Sequence, residues 1–293
     1  MRLVTKKQVS DTEGFLKMMN SHGSALVTLE NKVDNCLPPL DFNCITAPIY
    51  GANVPLPDPS FLAGCEGCEP ICTSASCSCS AQSNKGNLVY SPEGLLLIDS
   101  GPIYECNVKC SCPPSCPNRV IQRGRQVPLV ITRFANGKGW GVRAAEPIRK
   151  GTFIELYLGE VITSEEANRR FLANSEGGHA NYLFDLDFFF EPGIESVYTI
   201  DANQNGNISH FFNHSCDPNL CVHPCFIDTW DPYLHQIAFF AQRDIKAGEE
   251  LCFDYLGGVV SVVSRGREAY RRIDNKGSMP CFCMARNCRG FVF

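Results

Sequence analysis

Residues 207–219 read NISHFFNHSCDPN, and polar side chains stand there directly beside large apolar ones. Burying such polar groups costs free energy unless the fold supplies hydrogen-bonding partners. Two further segments also mix polar and large apolar residues, one on each side of this stretch: YLGE at residues 157–160 and EELCFDY at residues 249–255. Together the three segments predict a polar site that is built into a hydrophobic interior.

Nine cysteines form two tight clusters. They are Cys65, Cys68, Cys72, Cys77, Cys79, Cys106, Cys110, Cys112 and Cys116. Short cysteine spacings in a chain without a secretory signal favour zinc, and an odd count leaves one thiol out of any set of disulfides. Zinc takes four ligands, so nine thiolates serve two zinc ions with one left over, or three zinc ions if three sulfurs each bridge two metals. We prefer the three-zinc cluster.

A second metal site is predicted near the C-terminal end, where Cys281, Cys283 and Cys288 are one ligand short of a closed zinc site. Cys216, in the polar stretch, is expected to complete it, which brings the total to four structural zinc ions per chain. The remaining cysteines have no partner cluster. We expect free buried thiols at Cys36, Cys44, Cys221, Cys225 and Cys252.

The composition of the 293 residues, 44% of them hydrophobic, is enough for a substantial core. The sequence shows neither a signal peptide nor an apolar run of the roughly 18 residues that a membrane span needs, so we expect an intracellular protein without membrane contact. The formal net charge is −5, and it falls to about −10 when zinc-bound cysteines count as thiolates. This charge disfavours nonspecific nucleic-acid binding and favours a cationic partner.

The first third of the chain predicts little regular structure. A capping-box spacing that begins at Ser10, with Gly23 as a stop signal, predicts one amphipathic helix followed by a strand at residues 24–29. Residues 36–64 hold six prolines and are expected to be extended. Residues 81–101 are polar and contain glycine, which predicts a loop between the cysteine clusters.

From residue 128 onward the sequence changes to short β-rich runs punctuated by glycine. The runs are residues 129–134, 141–145, 152–158, 182–190, 197–201, 236–242 and 250–255. One helix interrupts them, because Thr163 and Glu166 form a capping box ahead of residues 167–172. Many short strands with few helices predict a mostly β domain of several small sheets. Residues 257–280, with four arginines and no clean periodicity, predict a flexible linker.

These features together resemble one family, the SET-domain protein lysine methyltransferases, in the suppressor-of-variegation class that methylates lysine 9 of histone H3. The resemblance covers residues 37–293. It rests, in the family's order, on the nine-cysteine module, Gly139-Trp140-Gly141, the YLGE segment, the NHSCDPN loop with Phe253-Asp254-Tyr255, and the C-terminal three-cysteine module. It implies a SET-domain fold: mostly β with short helices, several small sheets and a C-terminal pseudoknot, flanked by zinc-cysteine modules.

The resemblance also implies how the chain is divided. The expected parts are an N-terminal helix and strand in residues 1–36, a pre-SET module with the three-zinc cluster in 37–127, the catalytic SET domain in 128–256, the linker in 257–280 and a post-SET zinc module in 281–293. The first 36 residues are too short for the chromodomain that many relatives carry. We therefore expect a member without that module, or a truncated form.

A pocket for S-adenosylmethionine and, from the opposite face, a narrow channel for the target lysine follow from the resemblance. The cofactor pocket is expected at Lys138, Gly139, Trp140, Tyr182, His210, Asn213, His214 and Phe293. Tyr157, Phe253 and Tyr255 are expected to line the lysine channel. Asp185 and Asp187 are expected to contact the substrate. His210 stands where many relatives have arginine, which affects the expected turnover rate more than the reaction type.

The implied reaction moves a methyl group from a sulfonium to a neutral amine, so the protein must align the two groups, exclude water and favour the deprotonated lysine. Tyr255, and to a lesser degree Tyr157, are expected to orient the amine through their hydroxyl groups. Phe253 lacks the hydroxyl that a tyrosine would place beside the amine. We therefore expect trimethyl-lysine as the product.

The partners that the resemblance implies are the histone H3 tail and chromatin-silencing proteins, in nuclear heterochromatin. We expect a monomer that binds neither membranes nor specific nucleic-acid sequences. A zinc-cluster DNA-binding protein is disfavoured, because Lys85 and Lys109 are the only basic residues between residues 65 and 116 and five acidic residues oppose them.

The sequence leaves two further functions open. The chain could be a chromatin-binding module that has lost catalysis, although Tyr157, Asn213 and Tyr255 are all intact. It could also methylate a lysine outside the histones.

Overall fold

The computed structural model describes residues 6–21, 25–66, 68, 72–73, 76–84, 87–177, 180–190, 196–256 and 279–292. The helices within these ranges are α1 (Lys6–Met19), α2 (Ser78–Asn84) and α3 (Ser164–Glu176). The strands β1 to β15 are, in order, Val27–Glu30, Asn43–Cys44, Ile49–Tyr50, Ile103–Tyr104, Leu129–Phe134, Gly139–Ala144, Phe153–Leu156, Glu160–Thr163, Leu183–Asp185, Tyr198–Asp201, Asn205–Gly206, Asn213–His214, Leu220–Phe226, Gln236–Ala241 and Cys252–Phe253. None of the described helices is long and apolar enough to cross a bilayer.

The strands form small sheets, as the sequence predicts. Their orders are β1-β5-β6, β3-β8-β10-β9, β11-β2, β12-β15 and β4-β13-β14-β7. The longest strand has only seven residues, so no single sheet can enclose a core. The sheets instead bury their apolar faces against one another around a shared cluster that includes Leu129, Ile154 and Phe239. The predicted mostly β fold is confirmed.

Parallel pairing of β12 with β15 brings two distant segments together. Asn213 lies opposite Cys252 and His214 opposite Phe253, and the backbone N–H of Ser215 donates to the carbonyl of Phe253 at 3.0 Å. This is the crossing that a C-terminal pseudoknot requires. It places the end of the EELCFDY segment directly beside the NHSCDPN loop.

The cap of α3 is confirmed. Thr163 is the N-cap, and its side chain accepts a hydrogen bond from the backbone N–H of Glu166. The predicted start of α1 is wrong, because that helix already includes Lys6 and Ser10 therefore lies inside it. Its end is fixed by Asn20, whose side-chain amide donates to the carbonyls of Leu16 and Val27 at 2.9 Å each. Gly23 lies outside the described residues.

Further corrections concern element lengths. The predicted loop at 81–101 begins in α2, and the predicted strand at 182–190 is reduced to β9. Sequence reasoning missed β13 altogether, because it contains Pro224, which cannot donate to a ladder. The neighbouring strand β4 pairs only with Cys225 and Phe226. The backbone N–H that Pro224 lacks is therefore not needed for pairing with β4. Of the predicted linker, residues 257–278 lie outside the described part of the chain.

A buried carboxylate connects the cysteine-rich module to the rest of the core. Glu105 has no exposed surface and accepts hydrogen bonds from the Tyr90 hydroxyl at 2.9 Å and from the backbone N–H groups of Val120 and Ile121 at 2.7 Å each. Burial raises the pKa of Glu105 above its ordinary value. Val120 and Ile121 pack in the same apolar cluster as Phe240, so the module and the sheets form one packed unit.

Close approach of backbones at the YLGE segment provides a test of this packing. A Cβ atom on Gly159 would lie 2.4 Å from the carbonyl oxygen of Asp201, so Gly159→Ala should lower the free energy of unfolding by about 2 kcal/mol or more. Gly14 in α1 has no atom within 4 Å of an added Cβ, so Gly14→Ala should be neutral or stabilising by up to about 1 kcal/mol. Denaturant unfolding of both variants measures the difference. Equal stability of the two would contradict the packing described.

Candidate functional site

A cleft of about 810 Å³ opens between the start of β6, the NHSCDPN loop and the C-terminal cysteines. Seven of the predicted cofactor residues line it: Lys138, Gly139, Trp140, Tyr182, His210, Asn213 and His214. Phe293 lies outside the described residues. The cleft is also walled by Leu37 and Pro39 from the proline-rich segment, which sequence reasoning did not assign to the site. The indole N–H of Trp140 donates to the carbonyl of Leu37 at 3.2 Å, which fixes that wall.

Two glycines shape the floor of this cleft. Gly139 has a φ of +78°, a conformation that favours glycine. A Cβ on Gly141 would lie 2.5 Å from the side-chain amide nitrogen of Asn213. That amide donates to Glu250 at 3.0 Å, and Glu250 also pairs with Lys138 at 2.6 Å in a mostly buried ion pair. Gly141 therefore allows a close approach that holds Asn213 in place.

His210 and Tyr182 form one stacked wall. Their ring centroids are 3.9 Å apart with an interplanar angle of 17°. Burial lowers the pKa of His210 to about 4, so the ring is neutral at physiological pH and its Nδ1 lies 2.7 Å from the carbonyl oxygen of Ala202. The pair is a flat, uncharged surface at the inner end of the cleft.

A second cavity of about 140 Å³ lies behind that wall. It is lined by the predicted channel residues Tyr157, Phe253 and Tyr255 and also by Asp185. Asn181, Tyr182, His210 and Tyr255 line both cavities. The two spaces therefore adjoin, and these four residues, which include predicted cofactor residues and a predicted channel residue, belong to both.

The two phenol hydroxyls of the second cavity are tied to carbonyl oxygens. Tyr255 donates to the carbonyl of Phe212 and Tyr157 to that of Tyr182, each at 2.8 Å. Burial raises the pKa of both phenols, so they stay protonated. The Phe253 ring lies 4.7 Å from that of Tyr255. Phe212 contributes through its backbone, which no side-chain pattern could have indicated.

Asp185 and Asp187 are placed differently from each other. Asp185 ends β9 and accepts a hydrogen bond from the Thr199 hydroxyl at 2.7 Å. The strand stops there, so Asp187 lies beyond β9. Asp187 does not line the second cavity, and its carbonyl accepts from the backbone N–H of Phe190 at 3.1 Å.

The nine clustered cysteines lie with their sulfurs in mutual contact. Tetrahedral zinc with Zn–S bonds of about 2.3 Å places its ligand sulfurs about 3.8 Å apart. Cys65, Cys72 and Cys106 form a triangle with Sγ–Sγ distances of 3.7, 3.8 and 3.5 Å. These three are the sulfurs that could each bridge two metals.

The other six sulfurs complete the sets around that triangle. Two sets of four ligand atoms within 4.8 Å of one another are Cys65-Cys68-Cys72-Cys77 and Cys72-Cys106-Cys112-Cys116. Cys79 and Cys110, 3.6 Å apart, each lie within the same limit of both Cys65 and Cys106. Three four-ligand sites with three shared sulfurs use all nine cysteines, so the residues fit three zinc ions.

The C-terminal set also comes together. Cys216, Cys281, Cys283 and Cys288 place their sulfurs within 4.8 Å of one another, and the backbone N–H of Arg289 donates to Cys216 at 3.3 Å. Cys216 thus joins the NHSCDPN loop to the C-terminal module. One expectation about the cysteines outside these sets is wrong: Cys36 is exposed, and Cys44 and Cys221 are only half-buried.

Comparison with known proteins finds two family descriptions in the chain. A Pre-SET motif matches residues 19–119 and a SET domain matches residues 139–256. The histone-lysine N-methyltransferase Su(var)3-9 of Drosophila melanogaster is 44% identical over 298 residues, covering 100% of this chain and 45% of the fly protein. The H3 lysine-9 specific histone-lysine N-methyltransferase of Schizosaccharomyces pombe is 41% identical, covering 96% of this chain and 58% of the yeast protein. The chain thus spans about half the length of these relatives.

Solved structures have the same fold. KRYPTONITE in complex with mCHH DNA, an H3(1-15) peptide and SAH superimposes with a TM-score of 0.76 at 28% identity, covering 94% of this chain and 53% of that one. The Neurospora SET domain protein DIM-5, a histone lysine methyltransferase, superimposes with a TM-score of 0.68 at 34% identity, covering 80% of this chain and 97% of that one.

Metal content tests the ligand sets directly. We expect four zinc ions per chain, and three in Cys283→Ser, because that substitution removes a ligand from the C-terminal set only. Cys36→Ser, which changes an exposed thiol outside both sets, should retain four. Elemental analysis of the folded proteins gives the counts. Two or fewer zinc ions in folded parent protein would contradict the bridged cluster.

Proposed function

The chain belongs to the SET-domain histone-lysine methyltransferases of the Su(var)3-9 class, and on that premise we propose that it transfers methyl groups from S-adenosylmethionine to lysine 9 of histone H3. The observation that carries the proposal is the pair of cavities that meet at one shared wall. A donor bound in one of two adjoining cavities and an acceptor bound in the other can face each other directly, with water excluded from the junction.

Two relatives support the choice of substrate and cofactor. The yeast relative is named H3 lysine-9 specific, and KRYPTONITE was solved with an H3 peptide and SAH. Bound S-adenosylmethionine supplies an electrophilic methyl group on a sulfonium. In this chain the larger cleft is of a size for a nucleoside-containing cofactor, and the smaller cavity suits a narrow alkyl side chain.

We assign cofactor binding to the residues of the larger cleft. The Asn213 amide, fixed by Glu250, and the backbone around Gly139 offer hydrogen-bonding groups. The flat face of Tyr182 and His210 offers an uncharged surface. Phe293 remains a prediction. The neutral state of His210 means that this wall adds no positive charge beside a sulfonium.

Catalysis is assigned to the phenols of the smaller cavity. The hydroxyl groups of Tyr255 and Tyr157 now donate to backbone carbonyls. When the substrate enters, these hydroxyls would also form hydrogen bonds with the amine, or would replace the carbonyl partner by the amine, and so orient it. The apolar walls, including Phe253, disfavour an ammonium ion and so favour the neutral, nucleophilic amine. The carbonyl oxygens of Phe212 and Tyr182 lie where weak CH contacts to a polarised methyl group are possible.

Substrate binding is assigned to the outer edge of β9. Within the described residues β9 pairs only with β10, so a basic tail can add to the sheet as a further strand through main-chain hydrogen bonds. Asp185 lines the lysine cavity and is placed to attract the tail. A direct contact from Asp187 stays a prediction.

The zinc ions are assigned a structural role, with three in residues 37–127 and one that joins Cys216 to residues 281–293. The catalytic part is assigned to residues 128–256, and residues 257–280 to a linker. We further propose that the protein acts on chromatin in the nucleus as a monomer, with chromatin-silencing partners and without sequence-specific nucleic-acid contacts.

The proposed function is tested by incubating the protein with S-adenosylmethionine and a histone H3 tail peptide and following the product by mass spectrometry. Methylation confined to lysine 9 is expected. No transfer to any lysine of the peptide by zinc-loaded protein would refute the proposal, and cofactor binding without transfer would favour a chromatin-binding module that has lost catalysis.

We expect the methylation state of the product lysine to depend on whether residue 253 carries a hydroxyl group. Phe253 lies against Tyr255 and Phe239 at centroid distances of 4.7 and 4.8 Å, and a tyrosine there would add a donor beside the amine. We expect trimethyl-lysine from the parent protein, whereas Phe253→Tyr should accumulate monomethyl and dimethyl forms without losing the first transfer. A time course of product states checks this.

As a comparison in the same experiment, Tyr255→Phe should slow every transfer by about two orders of magnitude, because orientation of the amine is lost. A parent protein that stops at monomethyl-lysine, or a Phe253→Tyr variant that trimethylates at the parent rate, would contradict the steric explanation.

A further inference from the structure

Charge is distributed unevenly along the chain. Residues 171–242 contain no lysine or arginine but nine acidic residues, although the whole chain has 26 basic residues. This segment includes β9, part of the lining of the lysine cavity and the turn before β14. The surface around the cavity therefore lacks the positive charge that would repel a basic chain.

Exposed aromatic rings lie on this segment. Phe189, Phe190 and Tyr233, which we call the aromatic shelf, present their rings at one surface. The side chains of Phe189 and Tyr233 are 39% and 44% exposed, and the rings of Phe190 and Tyr233 are 5.3 Å apart. Large aromatic side chains at the surface are typical of interaction sites.

A buried histidine holds Phe189, one ring of the shelf, in place. His235 is 2% exposed, and its ring meets those of Phe188 and Phe189 edge to face at 5.6 and 5.3 Å. Phe226 closes the other side of Phe189 at 5.5 Å. Burial lowers the pKa of His235 to about 4, so it adds no positive charge. Phe189 is therefore held in place before any ligand binds, which lowers the entropic cost of binding at this position.

Acidic groups lie beside the rings. Asp231 accepts a hydrogen bond from the backbone N–H of Tyr233 at 2.9 Å, and Asp228 is exposed on the turn that leads to it. Aromatic faces attract cations through their quadrupole, and neighbouring carboxylates strengthen that attraction. A shelf of this composition is complementary to a lysine or arginine side chain.

The shelf is also continuous with the proposed substrate groove. The backbone N–H of Phe190 donates to the carbonyl of Asp187 at 3.1 Å, so the shelf follows directly after β9. Phe184, which lines the lysine cavity, precedes Phe189 by five residues. Because an extended chain advances about 3.3 Å per residue, five residues cover at most about 17 Å. A tail bound along β9 can therefore reach the shelf within about five positions of the target lysine.

We propose that the aromatic shelf is a subsite for a second basic side chain of the substrate tail, within about five residues of the methylated lysine. The proposal rests on the proposed function and adds a specificity element outside the lysine channel. Recognition there affects how tightly the tail binds and leaves the transfer step itself unchanged.

The test uses a histone H3 tail peptide and a panel in which each lysine or arginine other than the target is replaced singly by glutamine. Dissociation constants are measured by fluorescence anisotropy with SAH present, together with kcat and KM. In the parent protein one replacement within five positions of the target should weaken binding about 3- to 10-fold, as expected for a cation on aromatic rings beside carboxylates, with kcat within about twofold.

Tyr233→Leu then removes the ring that contacts Phe190 and keeps an apolar side chain at an exposed position. This variant should bind the unmodified peptide as weakly as the parent binds the critical glutamine peptide, and that peptide should show no further loss. Phe61→Leu is the matched control, because Phe61 is 60% exposed on a turn ahead of the first cysteine cluster. It should behave as the parent does.

The shelf proposal would be overturned if every glutamine replacement weakened peptide binding equally, in the parent and in Tyr233→Leu. Methylation of the peptide would still be observed in that case. A parent protein that neither binds nor methylates the peptide would overturn the proposed function as well, so the two failures are distinguishable. A fall in kcat alone in Tyr233→Leu would also contradict the proposal, because it would place Tyr233 in the transfer step.

Discussion

The parallel pairing of β12 with β15 is the contact on which the rest of the site depends. It sets Asn213 opposite Cys252 and His214 opposite Phe253. Asn213 lines the larger cleft, and Phe253 lines the smaller cavity. Cys216, three residues after Asn213, joins the C-terminal cysteines. The two cavities and the C-terminal cysteine set are thereby tied to one pair of short strands.

Such a polar loop is stable in an apolar interior only because its hydrogen bonds are made within the fold. Asn219 shows how: its amide donates to Glu249 and to the carbonyl of Glu250, and its side-chain oxygen accepts from the backbone N–H of Cys252. The backbone N–H of Tyr255 donates to Nδ1 of His214 at 3.1 Å. Removal of one partner would leave the other buried and unsatisfied, which costs more than the bond itself contributes.

Much of this arrangement could be predicted from the sequence, where local chemistry decides the outcome. The cysteine spacings predicted ligand sets whose sulfurs do lie at metal-binding distances, and the Thr163 cap was confirmed. The start of α1 could not be predicted, because helix propensity upstream of Ser10 overrides a capping-box pattern. The meeting of two cavities was expected from the family resemblance and could not be derived from local residue patterns, since it depends on long-range pairing and on the backbone carbonyl of Phe212. The aromatic shelf was missed because its residues form no sequence motif, and Tyr233 meets Phe190 only through the fold.

We propose that a zinc ion bound by the C-terminal cysteines would hold one wall of the larger cleft, since Met279, Cys281 and Phe282 form part of that wall. Cys288 belongs to the ligand set but does not line the cleft, so Cys288→Ser separates metal binding from direct contact. Titration calorimetry with SAH should show affinity about tenfold or more weaker in this variant than in the parent. Unchanged affinity in a variant that has lost one zinc ion would contradict the account.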